Sequence, residues 1–316
     1  SLVRVTLDDS ALARNDALEP ASIYRNSWGS YEINVNNGSV LYCDDIACNM
    51  GNAADSCGKY PFKIGFDSGE WNPGCDDFSF AFPAGSGADE NRLKIMANAG
   101  GLVLNPPTAG HTWRFATRIT GTGGILKGGS GELFMDTEEY YRDNKTVTGA
   151  FVPENVIRTG EAVYACEGPL HVAEGRLRVA AGALAPSTRV ELDKDAFLDL
   201  NGEVQSQLVI NGSGMVCNGV LSQVVVPADS TAQDPVVPCF NGDVAFSGRT
   251  VVDFGHEKGD PVDEGIYVVA SYSGTAPDLS GWKAAGLGGR RRAFFSAEDG
   301  IVRANVEPTG LMLIFK

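Results

Sequence analysis

Short runs of alternating apolar and polar residues, each closed within a few positions by Gly, Pro, Asn or Asp, recur along this chain. Period-two alternation is the mark of a strand with one buried face. Leu2-Val3-Arg4-Val5-Thr6-Leu7 and Tyr31-Glu32-Ile33-Asn34-Val35 read as strands, the second closed by the turn signal Asn36-Asn37-Gly38. From Pro61 the rhythm steadies: Phe62–Phe66, Asp77–Phe82, Leu93–Met96, Gly101–Leu104 and Thr112–Phe115 all fit short strands. After Leu170 the strand–turn alternation resumes and runs to about Phe254.

The alternation also assigns faces. Leu177 and Val179 are expected inward with Arg176 and Arg178 outward, and Val190 and Leu192 inward with Arg189 and Glu191 outward. Leu198 and Leu200 are expected inward around an exposed Asp199. Three stretches break the rhythm. Ser10–Leu18 suggests one or two helical turns, Asp44–Gly58 a polar loop, and Glu138–Lys145 a charged loop or short helix leaving the wall. Strong strands return at Gly265–Tyr272. Trp282, Phe294-Phe295, Ile301-Val302 and Leu311–Phe315 then add bulk suited to closing an open end.

The segment Gly121-Thr122-Gly123-Gly124-Ile125-Leu126-Lys127-Gly128-Gly129-Ser130-Gly131-Glu132-Leu133 resembles the opening signature of autotransporter-associated β-strand repeats. Gly175-Arg176-Leu177-Arg178-Val179, Leu198-Asp199-Leu200-Asn201-Gly202 and Leu208–Gly214 resemble later steps of the same repeat. The likeness spans about 120–275, is loose over 61–119, and is broken by an insertion at about 137–168. It implies an all-β chain wound as a right-handed parallel β-helix, a single-stranded β-solenoid. The expected organisation is an irregular N-terminal cap segment over 1–60, solenoid repeats over 61–255 and a closing β segment over 256–316. The resemblance also implies a bacterial, exported protein, secreted or at the cell surface, and no reaction. No segment after 275 supplies a set of membrane-barrel strands.

Composition narrows the function classes. Gly is 39 of 316 residues, above the usual ~7 % and suited to many turns. Hydrophobic residues make up 43 %, enough for a core. A net charge of −15 leaves no basic face for phosphates, so nucleic acid is not an expected partner. The run Arg290-Arg291-Arg292 reads as a solvated turn after Gly288-Gly289. No apolar run approaches the ~20 residues of a membrane-spanning helix. The chain begins at Ser1 without a signal-like segment, which reads as a trimmed, mature start.

Candidate chemistry is sparse. Of seven cysteines, Cys43, Cys48, Cys57 and Cys75 cluster in sequence. In an exported protein this suggests at least one disulfide among them, and the wide intervals argue against zinc. Gly124–Gly129 has the interval of a phosphate loop, but Lys127 lies inside it and Ser130 follows directly, so turn glycines are the better reading. Ser130 and Ser213 lack the nucleophile-elbow pattern, and His111, His171 and His256 have no second His at ligand spacing. The paired carboxylates Asp44-Asp45, Asp76-Asp77 and Glu138-Glu139 alternate between strand faces, so adjacency alone builds no acid–base pair. Trp28, Tyr31, Trp71 and Trp113 suit either an apolar plug at the N-terminal end or sugar stacking.

No catalytic, cofactor-binding or metal-ligating residue is therefore assigned, and no cofactor. The expected function is a non-catalytic scaffold with a structural, adhesive or surface-display role toward extracellular glycans or proteins. The alternatives are a carbohydrate-active enzyme, a polysaccharide lyase or glycoside hydrolase, and a glycan-binding module. Three or more carboxylate or basic side chains converging in one lateral groove would favour the enzyme.

Overall fold

The computed structural model describes residues 2–8, 11–12, 21–25, 30–48, 62–80, 82–83, 93–141, 156–158, 160–180, 182–185, 188, 190–193, 196–201, 209–211, 214–217, 220–222, 226–227, 237–241, 244–247, 250–254 and 262–309. Among these residues the chain is all-β, without a helix and without a closed barrel. Most strands pair in parallel.

Three parallel sheets dominate. Sheet I holds Leu2–Asp8, Ser30–Asn36, Phe62–Asp67, Leu93–Ala97, Ile119–Gly121 and Tyr164–Cys166. Sheet II runs through Ala11–Leu12, Val40–Cys48, Gly69–Asn72, Leu102–Leu104, Ile125–Lys127, Leu170–Val172 and Val190–Leu192. Sheet III holds Phe78–Phe80, Thr112–Phe115, Glu132–Met135, Gly175–Ala180, Ala196–Asn201, Gly214–Cys217 and Ala245–Ser247. From Phe62 to Ala180 the chain visits I, II and III in turn, and each circuit lies in register on the one before. Parallel partners require such a crossover, since a tight hairpin joins only antiparallel strands.

Register stacks like on like. Ile33 pairs with Ile64, Ile64 with Ile95 and Ile95 with Ile119 along sheet I. On sheet III, Phe78, Trp113, Leu133, Leu177 and Leu198 form one inward column. Inward and outward residues alternate as the sequence predicts: Leu177, Val179, Val190, Leu192 and Leu198 are buried, whereas Arg176, Arg178 and Glu191 are half-exposed. Asp199 departs from expectation. It is half-buried, because Arg176 of the neighbouring circuit folds onto it. The side chains of Arg189 and Leu200 lie outside the described residues.

Leu2–Asp8 and Ser30–Asn36 supply the first strands of sheet I, and Ala11–Leu12 and Val40–Cys48 those of sheet II. Val40–Cys48 is one strand, although a loop is expected from Asp44. The sequence Val40-Leu41-Tyr42-Cys43 already alternates and pairs with Gly69–Asn72, and parallel pairing with the strand Ala21–Arg25 carries the strand on through the acidic residues to Cys48. Ala11–Leu12 is a strand rather than a helical turn, and the rest of that stretch lies outside the described residues. Glu139–Tyr141, expected in a loop or helix, is a strand pairing parallel with Phe82–Pro83 and antiparallel with Val156–Arg158, a small sheet beside sheet III.

Turns between circuits need glycine. A Cβ on Gly123 would overlap the Asn98 carbonyl oxygen of the preceding circuit, and the Gly123 amide donates to the Ala97 carbonyl at 3.0 Å. The Gly-rich segment thus serves close backbone stacking, which only a missing side chain permits.

The C-terminal part changes pattern. Val209–Asn211, Cys239–Asn241 and Gly265–Ser273 continue in parallel, and then Ile301–Pro308 and Arg291–Glu298 add antiparallel strands. Arg291 and Arg292, expected in a solvated turn, open that last edge strand. Leu311–Phe315 lies outside the described residues.

Candidate functional site

The outward face of sheet III carries charged side chains that pair across successive circuits. Period-two alternation puts Thr112, Arg114, Glu132, Phe134, Arg176, Arg178, Phe197 and Asp199 on that face, opposite the buried column. Parallel register brings them to neighbouring positions ~4.8 Å apart.

Two ionic groups result. In the first, Glu132 accepts a hydrogen bond from the Thr112 hydroxyl at 3.1 Å and pairs with Arg178 at 2.7 Å. Three successive circuits are thereby joined through one carboxylate. The Arg178 guanidinium also lies 4.0 Å over the Phe134 ring, a cation–π contact. Arg176 reaches Asp199 at 3.4 Å.

The second group sits where sheet III meets the small sheet. Arg114 contacts Asp136 at 2.7 Å and Glu139 at 2.6 Å, and donates to the Ser79 hydroxyl at 3.3 Å. Glu139 is only 2 % exposed, so its charge depends on partners. Burial works against the Arg114 charge, but hydrogen bonds to Glu139 and Asp136 outweigh it and raise its pKa.

The other sequence candidates divide. Asp76 and Asp77 are exposed and tie down the next circuit: Thr108 donates to Asp76 at 2.6 Å, and the Thr112 amide to Asp77 at 2.8 Å. His111 Nδ1 lies 2.9 Å from Asp77, which raises the imidazole pKa. His171 likewise faces outward and contacts Asp193 at 3.0 Å. His256 and Ser213 lie outside the described residues, and the Ser130 hydroxyl donates to the Pro107 carbonyl at 3.0 Å. Asp44 is exposed, and the side chain of Asp45 is outside the described set.

Trp71 and Trp113 are buried and unavailable to stack on a sugar. Trp71 packs edge-on against Phe80 and Phe115, with ring centres 4.9 and 5.4 Å apart. Trp28 lies outside the described residues. Cys75 is an exposed free thiol and Cys166 a buried one, whose pKa burial pushes up to about 12. Cys43 is buried, and the side chains of Cys48 and Cys57 lie outside the described set. Among the described residues no group of three or more His, Cys, Asp or Glu is placed to hold a metal ion, and no helix is long and apolar enough to cross a membrane.

Lys127 is fully buried in an inward column, between Leu104 and Val172. Its ammonium donates to the carbonyls of Gly129 and Glu174, each at 2.5 Å. Desolvation lowers its pKa to about 8. The period of two is the available signal, since Ile125 and Lys127 must share a face.

No family model, curated protein or solved structure matches this chain.

Proposed function

We propose that this protein is an exported, right-handed parallel β-helix of the autotransporter-associated repeat type, acting as a non-catalytic scaffold in adhesion or surface display. Rotation of the chain through three parallel sheets supports the winding, and parallel crossovers are right-handed in nearly all proteins. The glycine signature supports the repeat type, because its glycines sit where circuits touch. Its partners are extracellular glycans or proteins, met on the lateral faces.

The observation that carries the scaffold reading is the pairing of charges on sheet III. Glu132 with Arg178, Asp199 with Arg176, and Asp136 and Glu139 with a shared Arg114 are each paired across or beside a circuit. Such groups act as struts between circuits that contact only their neighbours. Exchanging the charges tests this. Arg178→Glu and Glu132→Arg should each lower the melting temperature, and the double exchange should recover part of the loss. Additive losses would remove the strut role.

Convergence of these same groups on one face favours a second reading, a carbohydrate-active enzyme or glycan-binding module. The exposed Phe197 ring beside Arg176 offers an apolar surface next to a cation. In that reading some of the carboxylates exchange their arginine partner for substrate.

A further inference from the structure

The strand Arg291–Glu298 is the last of its sheet, paired on one side with Ile301–Pro308. Among the described residues no strand covers its other edge. The pattern of bonds shows which groups point there. The Thr309 amide donates to the Arg290 carbonyl at 2.7 Å, and Glu298 pairs with Ile301 across the two-residue turn Asp299-Gly300. In antiparallel pairing, bonding positions alternate, so Arg292, Phe294, Ser296 and Glu298 bond to the partner strand. The N–H and C=O groups of Ala293, Phe295 and Ala297 therefore face the open side.

An open edge of this kind is a template for another strand. Its centre, Ala293-Phe294-Phe295-Ser296-Ala297, carries no charge and no proline, and Phe294 is 49 % exposed. The charges stand at its two ends with opposite sign: Arg291 and Arg292 at one, Glu298 and Asp299 at the other. A parallel, in-register copy would set arginine on arginine. An antiparallel copy centred on Phe295 would set Arg292 against Glu298 and Arg291 against Asp299 of the second molecule. In that register Ala293 meets Ala297, and the N–H and C=O groups of Ala293, Phe295 and Ala297 find their complements.

We propose that Arg291–Glu298 pairs antiparallel with the same strand of a second copy, joining two molecules tail to tail about a two-fold axis at Phe295. The contact is isologous and closes on itself, so it yields a dimer and not a fibre. It continues the C-terminal sheet across the dyad and removes its exposed edge.

Sedimentation velocity on the full chain across a concentration series tests the proposal. A dimer is expected. Arg292→Glu and Glu298→Arg should each weaken it by about ten-fold, since each reverses both symmetry-related pairs. The double exchange should restore it, because only the antiparallel register sets these two residues against each other. Ala293→Pro removes an N–H from the open side alone and should also weaken the dimer, with an unchanged circular dichroism spectrum. A monomer at all concentrations would overturn the proposal. So would a dimer indifferent to the single exchanges, or one that the double exchange fails to restore.

Discussion

The ammonium of Lys127 donates to the backbone carbonyl of Glu174, 47 residues further along the chain, at 2.5 Å. A charge is thus placed in an otherwise apolar column and held by the corner of the next circuit. Its pKa of about 8 lies below the ordinary 10.5. Below pH 8 the lysine is protonated in both folded and unfolded chains, and the desolvation penalty is fully present. Between about 8 and 10.5 the unfolded chain holds more protons, so stability rises with pH. Relative to Lys127→Met, the wild type should gain up to about 3 kcal/mol across that window in urea denaturation. A constant difference between the two proteins would refute the assignment.

Arg114 and Arg118 separate buried from exposed pairing. Arg114→Met removes the cation beside Glu139, which is 2 % exposed, and should cost about 3 kcal/mol. Arg118 pairs with Glu161 where both side chains are about half exposed, 47 % and 58 %. Arg118→Met should change stability by less than about 1 kcal/mol. Thermal denaturation of the two variants gives the comparison.

Glycines divide in the same way. Gly123→Ala would drive a Cβ into the Asn98 carbonyl and should prevent folding or lower the melting temperature steeply. Gly160 has φ of +74°, but a methyl group there would meet nothing within 4 Å among the described residues. Gly160→Ala should therefore cost only about 1 kcal/mol, the strain of the left-handed backbone. Equal losses would mean that close stacking of circuits is not what the signature glycines provide.

Much of this architecture is legible in the sequence. Leu177, Val179, Val190 and Leu192 declare their faces by alternation alone, because each strand packs one side. What stays hidden is non-local. Ile125 pairs with Leu170 across the insertion, and no local pattern marks those two as neighbours. Arg114 meets Glu139 only because the small sheet folds against sheet III. The burial of Lys127 is also non-local, because its strand position puts it inside and a carbonyl of the next circuit, that of Glu174, helps receive its charge.

His111 offers a local check on the loop ties. Its hydrogen bond to Asp77 raises the imidazole pKa above 6.5. The stabilisation from this contact is fully present below the unfolded value and is lost as pH rises through the folded one. An NMR titration should place His111 above 6.5 in the wild type and nearer it in Asp77→Asn. Identical titrations would show that the contact does not form in solution.

The scaffold reading meets its most direct test in a depolymerisation assay. The protein is incubated with plant, algal and host polysaccharides, and new chain ends are counted. The scaffold account predicts none above a protein-free control, for the wild type and for Glu132→Gln, Asp136→Asn and Glu139→Gln alike. Reproducible cleavage, abolished by one of these substitutions with the melting curve intact, would contradict it and make the outward face of sheet III an active site.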